Sequence, residues 1–276
     1  MRFAFAGCDR NLAIFEALVA AGWQPVKIFS VPEQDKMAFH STLLNCAQSK
    51  GIPFQLEHLR HADLLALEGL ACDILVVGSY NYKIPDWREH LPYAINFHPS
   101  PLPMGRGPYP LVGAILHKHR LWAVTCHQID AHYDTGAILA DESFALDQFD
   151  THETLNLKVQ MAAARLASRI GKEFGALWCA AKTQSEGEYW PLFSVADRSI
   201  DFASPVRHIR LQLRALGRLE CYATLNHAHV RVRSGFAWPE VHRYAIGQIV
   251  HEYAAQIVIA CKDGFVVFSD WYFVSE

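Results

Sequence analysis

The chain has 276 residues, of which 51% are hydrophobic and 19% charged, and its formal net charge at pH 7 is −3. This length suits one large domain or one domain with a small appendage, and the composition excludes an intrinsically disordered chain. The charge offers no electrostatic attraction to nucleic acid or to an anionic membrane.

Strand-like and helix-like patterns alternate along the first two thirds of the chain. Apolar runs with strand character cover residues 2–6, 25–30, 54–56, 74–77, 94–97, 122–129 and 137–144. Helix-like periodicity covers residues 11–21, 37–50, 61–70, 108–117 and 152–177. Because strands that alternate with helices build parallel sheets, we predict an α/β fold with a Rossmann-like, doubly wound and mostly parallel sheet.

The pattern changes after residue 182, where the alternation of strands and helices stops. A polar linker covers residues 185–188, and a short helix-like stretch ends near residue 216. Strand-like runs follow at residues 220–225, 229–233, 256–260 and 264–268, with turn signals between some of them. We therefore predict a catalytic domain over residues 1–182 and a small C-terminal module, one helix plus a β-rich part, over residues 183–276.

Cysteine usage and the N-terminal sequence bear on the compartment. The seven cysteines are scattered and form no CxxC pair, a pattern typical of reduced thiols rather than of disulfides or a zinc site. The N-terminus has no basic and apolar leader, and no apolar run is long enough to cross a bilayer. We expect a cytoplasmic protein with no bound metal and no membrane partner.

Three polar residues stand out around the predicted strand 94–97. Asn96 and His98 are two residues apart, so on a strand they share one face, and a proline-rich loop follows at once. In open α/β sheets, ligands bind at this end of a strand. Asp134 follows His98 after a further strand pattern, 36 residues on (134 − 98 = 36). An amide donor, a base and an acid together favour acyl transfer through a tetrahedral intermediate.

These residues resemble the signature of the folate-dependent formyltransferases, which reads roughly Asn-x-His-Pro-Ser-x-Leu-Pro, then Arg-Gly, then Asp-x-Gly. The chain carries all three pieces in order, at residues 96–103, 106–107 and 134–136, with Pro101 where a leucine is usual. The resemblance implies an N-formyltransferase with 10-formyltetrahydrofolate as its formyl donor. It also implies that Asn96, His98 and Asp134 are the catalytic residues.

The expected mechanism gives each of these residues a role. His98 as an imidazolium and the Asn96 amide supply hydrogen bonds to the oxyanion, each worth on the order of 3 kcal/mol. The Asp134 carboxylate raises the pKa of His98 and takes or relays the proton that the amine loses. A histidine after a strand is more often structural than catalytic, and the chain has 15 histidines. We expect most of the others, His127 among them, to be surface or core residues.

The resemblance further implies where the folate and the second substrate bind. The folate is expected against the loop at residues 80–85, held largely by backbone atoms, with the loop around Asp134 closing the other side. The cofactor-binding candidates are Tyr80, Tyr82, Ile84, His132 and Tyr133. The substrate-binding candidates are Ser100, Arg106 and Gly107. Tyr80 and Tyr82 could equally be packing aromatics.

The acceptor amine is the open question. An enzyme acting on tRNA should carry a basic insertion near residues 30–50, but Glu33 and Asp35 offset Lys36 and Lys50 there. The C-terminal part contains only a modest set of arginines. We therefore expect a small-molecule acceptor, with a nucleotide-linked amino sugar leading, and no nucleic-acid partner. The alternatives are a methionyl-tRNA formyltransferase, a hydroxyornithine-type formyltransferase and a formyltetrahydrofolate hydrolase, and a homodimer stays open.

Overall fold

The computed structural model describes residues 1–32 and 39–274. Seven strands form one sheet in the order β3-β2-β1-β4-β5-β6-β7. They are β1 (Arg2–Gly7), β2 (Gln24–Phe29), β3 (Phe54–Gln55), β4 (Ile74–Gly78), β5 (Tyr93–His98), β6 (Leu121–Gln128) and β7 (Ile138–Ala145). The first five strands pair in parallel, whereas β5–β6 and β6–β7 are antiparallel. The predicted Rossmann-like, mostly parallel sheet is confirmed.

Five helices accompany this part of the chain. They are α1 (Leu12–Ala20), α2 (Ser41–Lys50), α3 (His61–Gly69), α4 (Pro110–Leu116) and α5 (His152–Cys179). The helix predicted from residue 37 begins at Ser41, and residue 37 itself lies outside the described residues, as do Glu33, Asp35 and Lys36. All five residues of β4 are buried, as its continuous apolar sequence predicts for a central parallel strand.

The C-terminal part forms a second, antiparallel sheet in the order β10-β11-β12-β9-β8. Its elements are α6 (Val195–Arg198), α7 (Val206–Leu216), β8 (Cys221–Leu225), β9 (Ala228–Pro239), β10 (Ile249–Tyr253), β11 (Gln256–Cys261) and β12 (Gly264–Phe273). The predicted β-rich module with one helix is confirmed, and α6 is additional. The strand predicted to end at residue 233 runs on to Pro239, and its pairing with β12 shifts register near Ser234. The edge strand β10 was not predicted, since three of its five residues are exposed.

Contacts within the described residues group the chain into two units. The first comprises Met1–Pro110, Leu121–Ala145 and Leu157–Trp190, and the second comprises Leu111–Arg120, Leu146–Asn156 and Pro191–Glu276. All residues of the candidate site belong to the first unit, and the domain boundary after residue 182 stays a prediction. Among the described residues, no helix combines the length and the apolar character that crossing a bilayer requires.

Candidate active site

The antiparallel pairing of β5 with β6 assembles four polar side chains on one face of the sheet. Asn96 lies directly opposite His127, and His98 lies directly opposite Thr125. Residues that face each other across an antiparallel pair point to the same side, as do residues two apart on one strand. The reversal of strand direction after β5 therefore adds Thr125 and His127 to the predicted pair.

Asp134 joins this group from the loop between β6 and β7. Its φ of +58° is in the left-handed region, which aspartate tolerates better than most residues. One carboxylate oxygen, Oδ2, accepts a hydrogen bond from the backbone N–H of Gly107 at 3.0 Å. The other, Oδ1, is 3.3 Å from Nδ1 of His98 and 3.4 Å from Nδ2 of Asn96. The structure thus brings the three predicted catalytic residues together around one oxygen atom.

His98 is buried with an acceptor at each ring nitrogen. Its Nε2 is 2.9 Å from the carbonyl oxygen of Gly105, and its Nδ1 faces Asp134. Only the imidazolium carries a hydrogen on both nitrogens, so only the charged ring satisfies both contacts. Burial nevertheless lowers the pKa of His98, and it outweighs the opposing effects of Asp134 and of the Gly105 carbonyl. The expected contribution of Asp134 has the right sign, but the expectation of a net raised pKa is wrong.

The Asp134 carboxylate is ionised at any pH near neutrality. Burial by itself raises the pKa of this carboxyl, as desolvation does for any acid. The hydrogen bond and charge from His127, the charge of His98 and the Gly107 N–H together outweigh burial and lower the pKa to about 2. The site therefore holds a fixed negative charge 3.3 Å from a buried histidine ring.

The loop after β5 is held in place by Thr125. The Thr125 hydroxyl donates to the carbonyl oxygen of Ser100 at 2.7 Å and accepts from the backbone N–H of Leu102 at 3.2 Å. The Ser100 hydroxyl donates to the carbonyl oxygen of Met104 at 2.8 Å. The side chain of Ser100 is therefore engaged within the loop, and its expected role toward a substrate stays a prediction.

Arg106 and Gly107 are likewise held by intramolecular contacts. The Arg106 guanidinium donates to Oε1 of Gln184 at 2.8 Å, while Nε2 of Gln184 donates to the carbonyl oxygens of Asp134 at 3.0 Å and Gly136 at 2.7 Å. Gly107 has a φ of +111°, and a Cβ atom there would be 2.3 Å from the carbonyl oxygen of Trp190. Only glycine fits this position. Both residues support the Asp134 loop, and a direct role in binding the substrate stays a prediction for each.

Two residues of this network were missed in the sequence. His127 was expected among the surface or core histidines, but its side chain is only 3% exposed and its Nε2 is 3.7 Å from Oδ1 of Asp134. His127 is two residues from Thr125 on β6, so both side chains lie on the same face of the strand. This spacing indicates the site only when β6 is known to pair antiparallel with β5. Gln184 adjoins the segment interpreted as a polar linker, and no local pattern distinguishes it.

The expected folate loop follows β4. The Tyr80 hydroxyl is 2.8 Å from the backbone nitrogen of Leu59 and its ring is largely buried, which fits a packing role. The Tyr82 ring lies against the His58 ring. The backbone N–H and C=O groups of residues 81–84 have no backbone hydrogen bond within residues 1–32 and 39–274, so they are free for the edge of a pterin. Ile84 is half-buried beside them, and His132 and Tyr133 are exposed on the Asp134 loop.

Comparison with known sequences identifies relatives of the whole chain. The family model described as "Formyl transferase" matches residues 33–170, and the one described as "Formyl transferase, C-terminal domain" matches residues 193–272. A methionyl-tRNA formyltransferase of Burkholderia thailandensis is 32% identical over 96% of this chain and 87% of its own length.

Solved structures share the fold. HypX from Aquifex aeolicus in complex with tetrahydrofolic acid matches with a TM-score of 0.72 at 18% identity, over 100% of this chain and 44% of that chain. The chain thus spans less than half the length of HypX. An N-formyltransferase from Helicobacter canadensis, in complex with folinic acid and dTDP-3-aminofucose, matches with a TM-score of 0.65 at 17% identity, over 98% of this chain and 99% of that chain.

The first family model covers half of the chain, and its matched segment contains the Asn96, His98 and Asp134 cluster that the fold brings together. The Burkholderia thailandensis relative is 32% identical over nearly all of the chain. This chain belongs to the formyl transferase family.

Proposed function

We propose that the chain transfers a formyl group to the amino group of methionyl-tRNA. The observation that carries this proposal is the 32% identity, over nearly the full chain, to a methionyl-tRNA formyltransferase. As a formyl transferase, the chain takes the formyl group from 10-formyltetrahydrofolate. The proposal replaces the amino sugar that the sequence alone favoured, and it moves the methionyl-tRNA alternative into first place.

The reaction joins the acceptor nitrogen to the formyl carbon, breaks the bond from that carbon to N10, and moves one proton from the amine to N10. The formyl donor supplies an amide-like carbonyl whose oxygen gains negative charge during the transfer. Asn96 lies at the accessible side of the site, because it is half-exposed whereas His98 and His127 are buried. The reacting groups are therefore expected beside Asn96, within hydrogen-bonding reach of its carboxamide.

His98 and Asp134 are suited to hold the proton that the amine loses. In its neutral form, His98 donates from Nε2 to Gly105, and its Nδ1 faces the Asp134 carboxylate without a hydrogen. A proton on Nδ1 turns the ring into an imidazolium that is ion-paired with Asp134 at 3.3 Å. A lowered pKa of His98 keeps the ring neutral, and hence ready for a proton, near pH 7.

The folate is proposed to lie against the loop at residues 80–85. The backbone groups of residues 81–84, which make no backbone hydrogen bond to any described residue, offer donors and acceptors for its heteroaromatic edge, and Tyr82 and Ile84 provide partly buried apolar surface beside them. His132 and Tyr133 are placed on the Asp134 loop, where they can cover the other side. Tyr80 contributes mainly by fixing the start of the loop through its hydrogen bond to Leu59.

A set of cationic and aromatic side chains in the second unit supports an RNA substrate. Tyr222 and Tyr272 lie on either side of Arg231 in neighbouring strands and therefore share its face of the sheet. Arg231 lies 3.8 Å and Arg198 4.5 Å from the ring centre of Tyr222, while Arg233 lies 4.5 Å from that of Tyr272. We name these five residues the arginine–tyrosine surface. Stacked guanidinium and aromatic groups of this kind bind nucleic-acid backbones and bases.

A nucleotide-linked amino sugar remains the second candidate acceptor. The observation in its favour is the full-length structural match to an N-formyltransferase solved with dTDP-3-aminofucose, together with the net charge of −3. A sugar nucleotide needs one or two cationic contacts, whereas tRNA needs many. The seven free cysteines support a reducing compartment, and we place either reaction in the cytoplasm.

The test is a formyl-transfer assay with 10-formyltetrahydrofolate and three kinds of acceptor. Initiator methionyl-tRNA, a panel of amino-sugar nucleotides and hydroxylated amines are compared with water alone. We expect turnover with methionyl-tRNA that falls by at least about 100-fold in His98→Ala. Turnover with a sugar nucleotide but not with tRNA would establish the second candidate. Formate release that needs no amine would instead indicate a hydrolase.

A further inference from the structure

We propose that His127 is a positioning residue that fixes which end of the Asn96 carboxamide faces the substrates. This inference rests on the proposed formyl transfer, because it concerns the same site. The side chain of His127 is almost fully buried and lies directly opposite Asn96 in the β5–β6 pair. The titratable groups in contact with it are Asp134 from the loop after β6 and, across the carboxylate, His98 from β5.

The ring of His127 has one nitrogen whose role is fixed by the backbone. Its Nδ1 is 2.7 Å from the carbonyl oxygen of Gln128. A carbonyl oxygen can only accept, so the hydrogen of the neutral ring is on Nδ1. The other nitrogen, Nε2, is then an acceptor, and it is 3.2 Å from Nδ2 of Asn96. In the neutral ring, His127 therefore takes a hydrogen bond from the Asn96 amide, whereas only the charged ring also has a hydrogen on Nε2 that can face Asp134.

Two acceptors together determine the orientation of Asn96. Its Nδ2 is 3.2 Å from Nε2 of His127 and 3.4 Å from Oδ1 of Asp134. The amide nitrogen carries two hydrogens, one for each acceptor, whereas the flipped amide would place its oxygen against both. With neutral His127, the nitrogen of Asn96 therefore points inward, and its carbonyl oxygen is left for the accessible side.

The orientation matters because the amide oxygen can only accept a hydrogen bond, whereas the amide nitrogen can only donate one. An outward oxygen accepts a hydrogen bond from the N–H of the incoming amine. An outward nitrogen donates to the formyl oxygen, which is the role expected from the sequence. With its nitrogen held inward by His127 and Asp134, Asn96 presents its oxygen to the incoming amine.

The kinetic test uses two substitutions of His127. His127→Met keeps a comparable volume but offers no strong hydrogen bond, whereas His127→Gln keeps both an acceptor and a donor. We expect kcat of the Met variant to fall by roughly 10- to 100-fold, with the KM for 10-formyltetrahydrofolate little changed. The Gln variant, which still offers an acceptor to the Asn96 amide, should recover much of the rate.

Cys126→Ala is the matched control. Cys126 is a buried neighbour on the same strand, but it faces the opposite side of the sheet. Its variant should retain wild-type kcat even if its melting temperature falls. A Met variant with the wild-type kcat would overturn the proposal. So would a Cys126→Ala variant with the same loss of rate as His127→Met, because the loss would then be general to the strand.

A second measurement is independent of the acceptor. In proteins labelled with ¹⁵N, exchange with solvent of the Asn96 side-chain amide hydrogens should be slow in the wild type and fast in His127→Met. Fast exchange in both proteins would overturn the inference whatever the enzyme acts on. Slow exchange in the wild type alone, without formyl transfer to any acceptor, would leave His127 as the orienting residue and reject the proposed function.

Discussion

A single oxygen atom organises the site at the residue scale. Oδ1 of Asp134 lies within 3.4 Å of groups from Asn96 and His98, and His127 is slightly further away. Its partner oxygen is held by the Gly107 N–H, so the carboxylate cannot rotate without loss of a hydrogen bond. Removal of this one charge therefore lowers the pKa of His98 further and also removes a hydrogen-bond acceptor that orients Asn96.

The ionisation of Asp134 predicts a specific dependence of stability on pH. The pKa of this carboxyl is 3.8 in its reference state and about 2 in the fold, so the unfolded chain binds the proton more tightly. The charged group therefore contributes to the free energy of unfolding above its unfolded pKa, and this contribution is lost as the pH falls through the folded value. The shift corresponds to about 2 kcal/mol.

Asp134→Asn removes this titration. We expect the free energy of unfolding of the variant to vary less than that of the wild type between about pH 4 and pH 2, the window set by the two pKa values. Urea unfolding at a series of pH values measures it, and Asp141→Asn, an exposed carboxylate of the same sheet, is the control. Equal slopes for Asp134→Asn and wild type would show that the carboxylate is not stabilised in the fold.

At the scale of elements, the sequence predicts where the strands lie but not the direction in which each strand pairs. Periodicity located all seven strands of the first sheet, because buried strands such as β4 are uniformly apolar. The pairing direction of β6 depends on contacts distant in sequence, so the placement of His127 opposite Asn96 could not be predicted. The edge strand β10 was missed for a related reason: it is half-exposed and has no apolar alternation.

The loop that carries Gly107 gives a prediction at the same scale. Gly107→Ala places a methyl group 2.3 Å from a backbone oxygen at a φ of +111°. We expect a loss of about 2 kcal/mol or more in the free energy of unfolding, with a lower kcat because the Asp134 loop shifts. Gly175→Ala is the control, since no atom of the described residues outside its own helical turn and its chain neighbours lies within 4 Å of its Cβ position in helix α5. That variant should be stabilised by up to about 1 kcal/mol, as measured by denaturant unfolding.

At the scale of the whole molecule, the net charge and the local charge distribution point to different acceptors. The chain is acidic overall at −3, yet the second unit contains the half-buried arginines of the arginine–tyrosine surface and exposed arginines at 207, 210, 218 and 243. Net charge governs long-range attraction, whereas phosphate contacts depend on local cations. An acidic protein can therefore bind tRNA through one face, at an affinity that salt should reduce steeply.

The salt dependence of the tRNA reaction tests this surface. The KM for methionyl-tRNA should rise with salt, and Arg231→Met should reduce the slope of log KM against log salt concentration by about 1, the contribution of one phosphate contact. Arg169→Met, which removes an exposed arginine paired with Glu173 on α5, is the control and should leave the slope unchanged. Equal slopes for all three proteins would exclude Arg231 from the contact with tRNA. A small sugar nucleotide, with its few phosphates, should show a much shallower slope in every variant, so the same titration separates the two candidate acceptors.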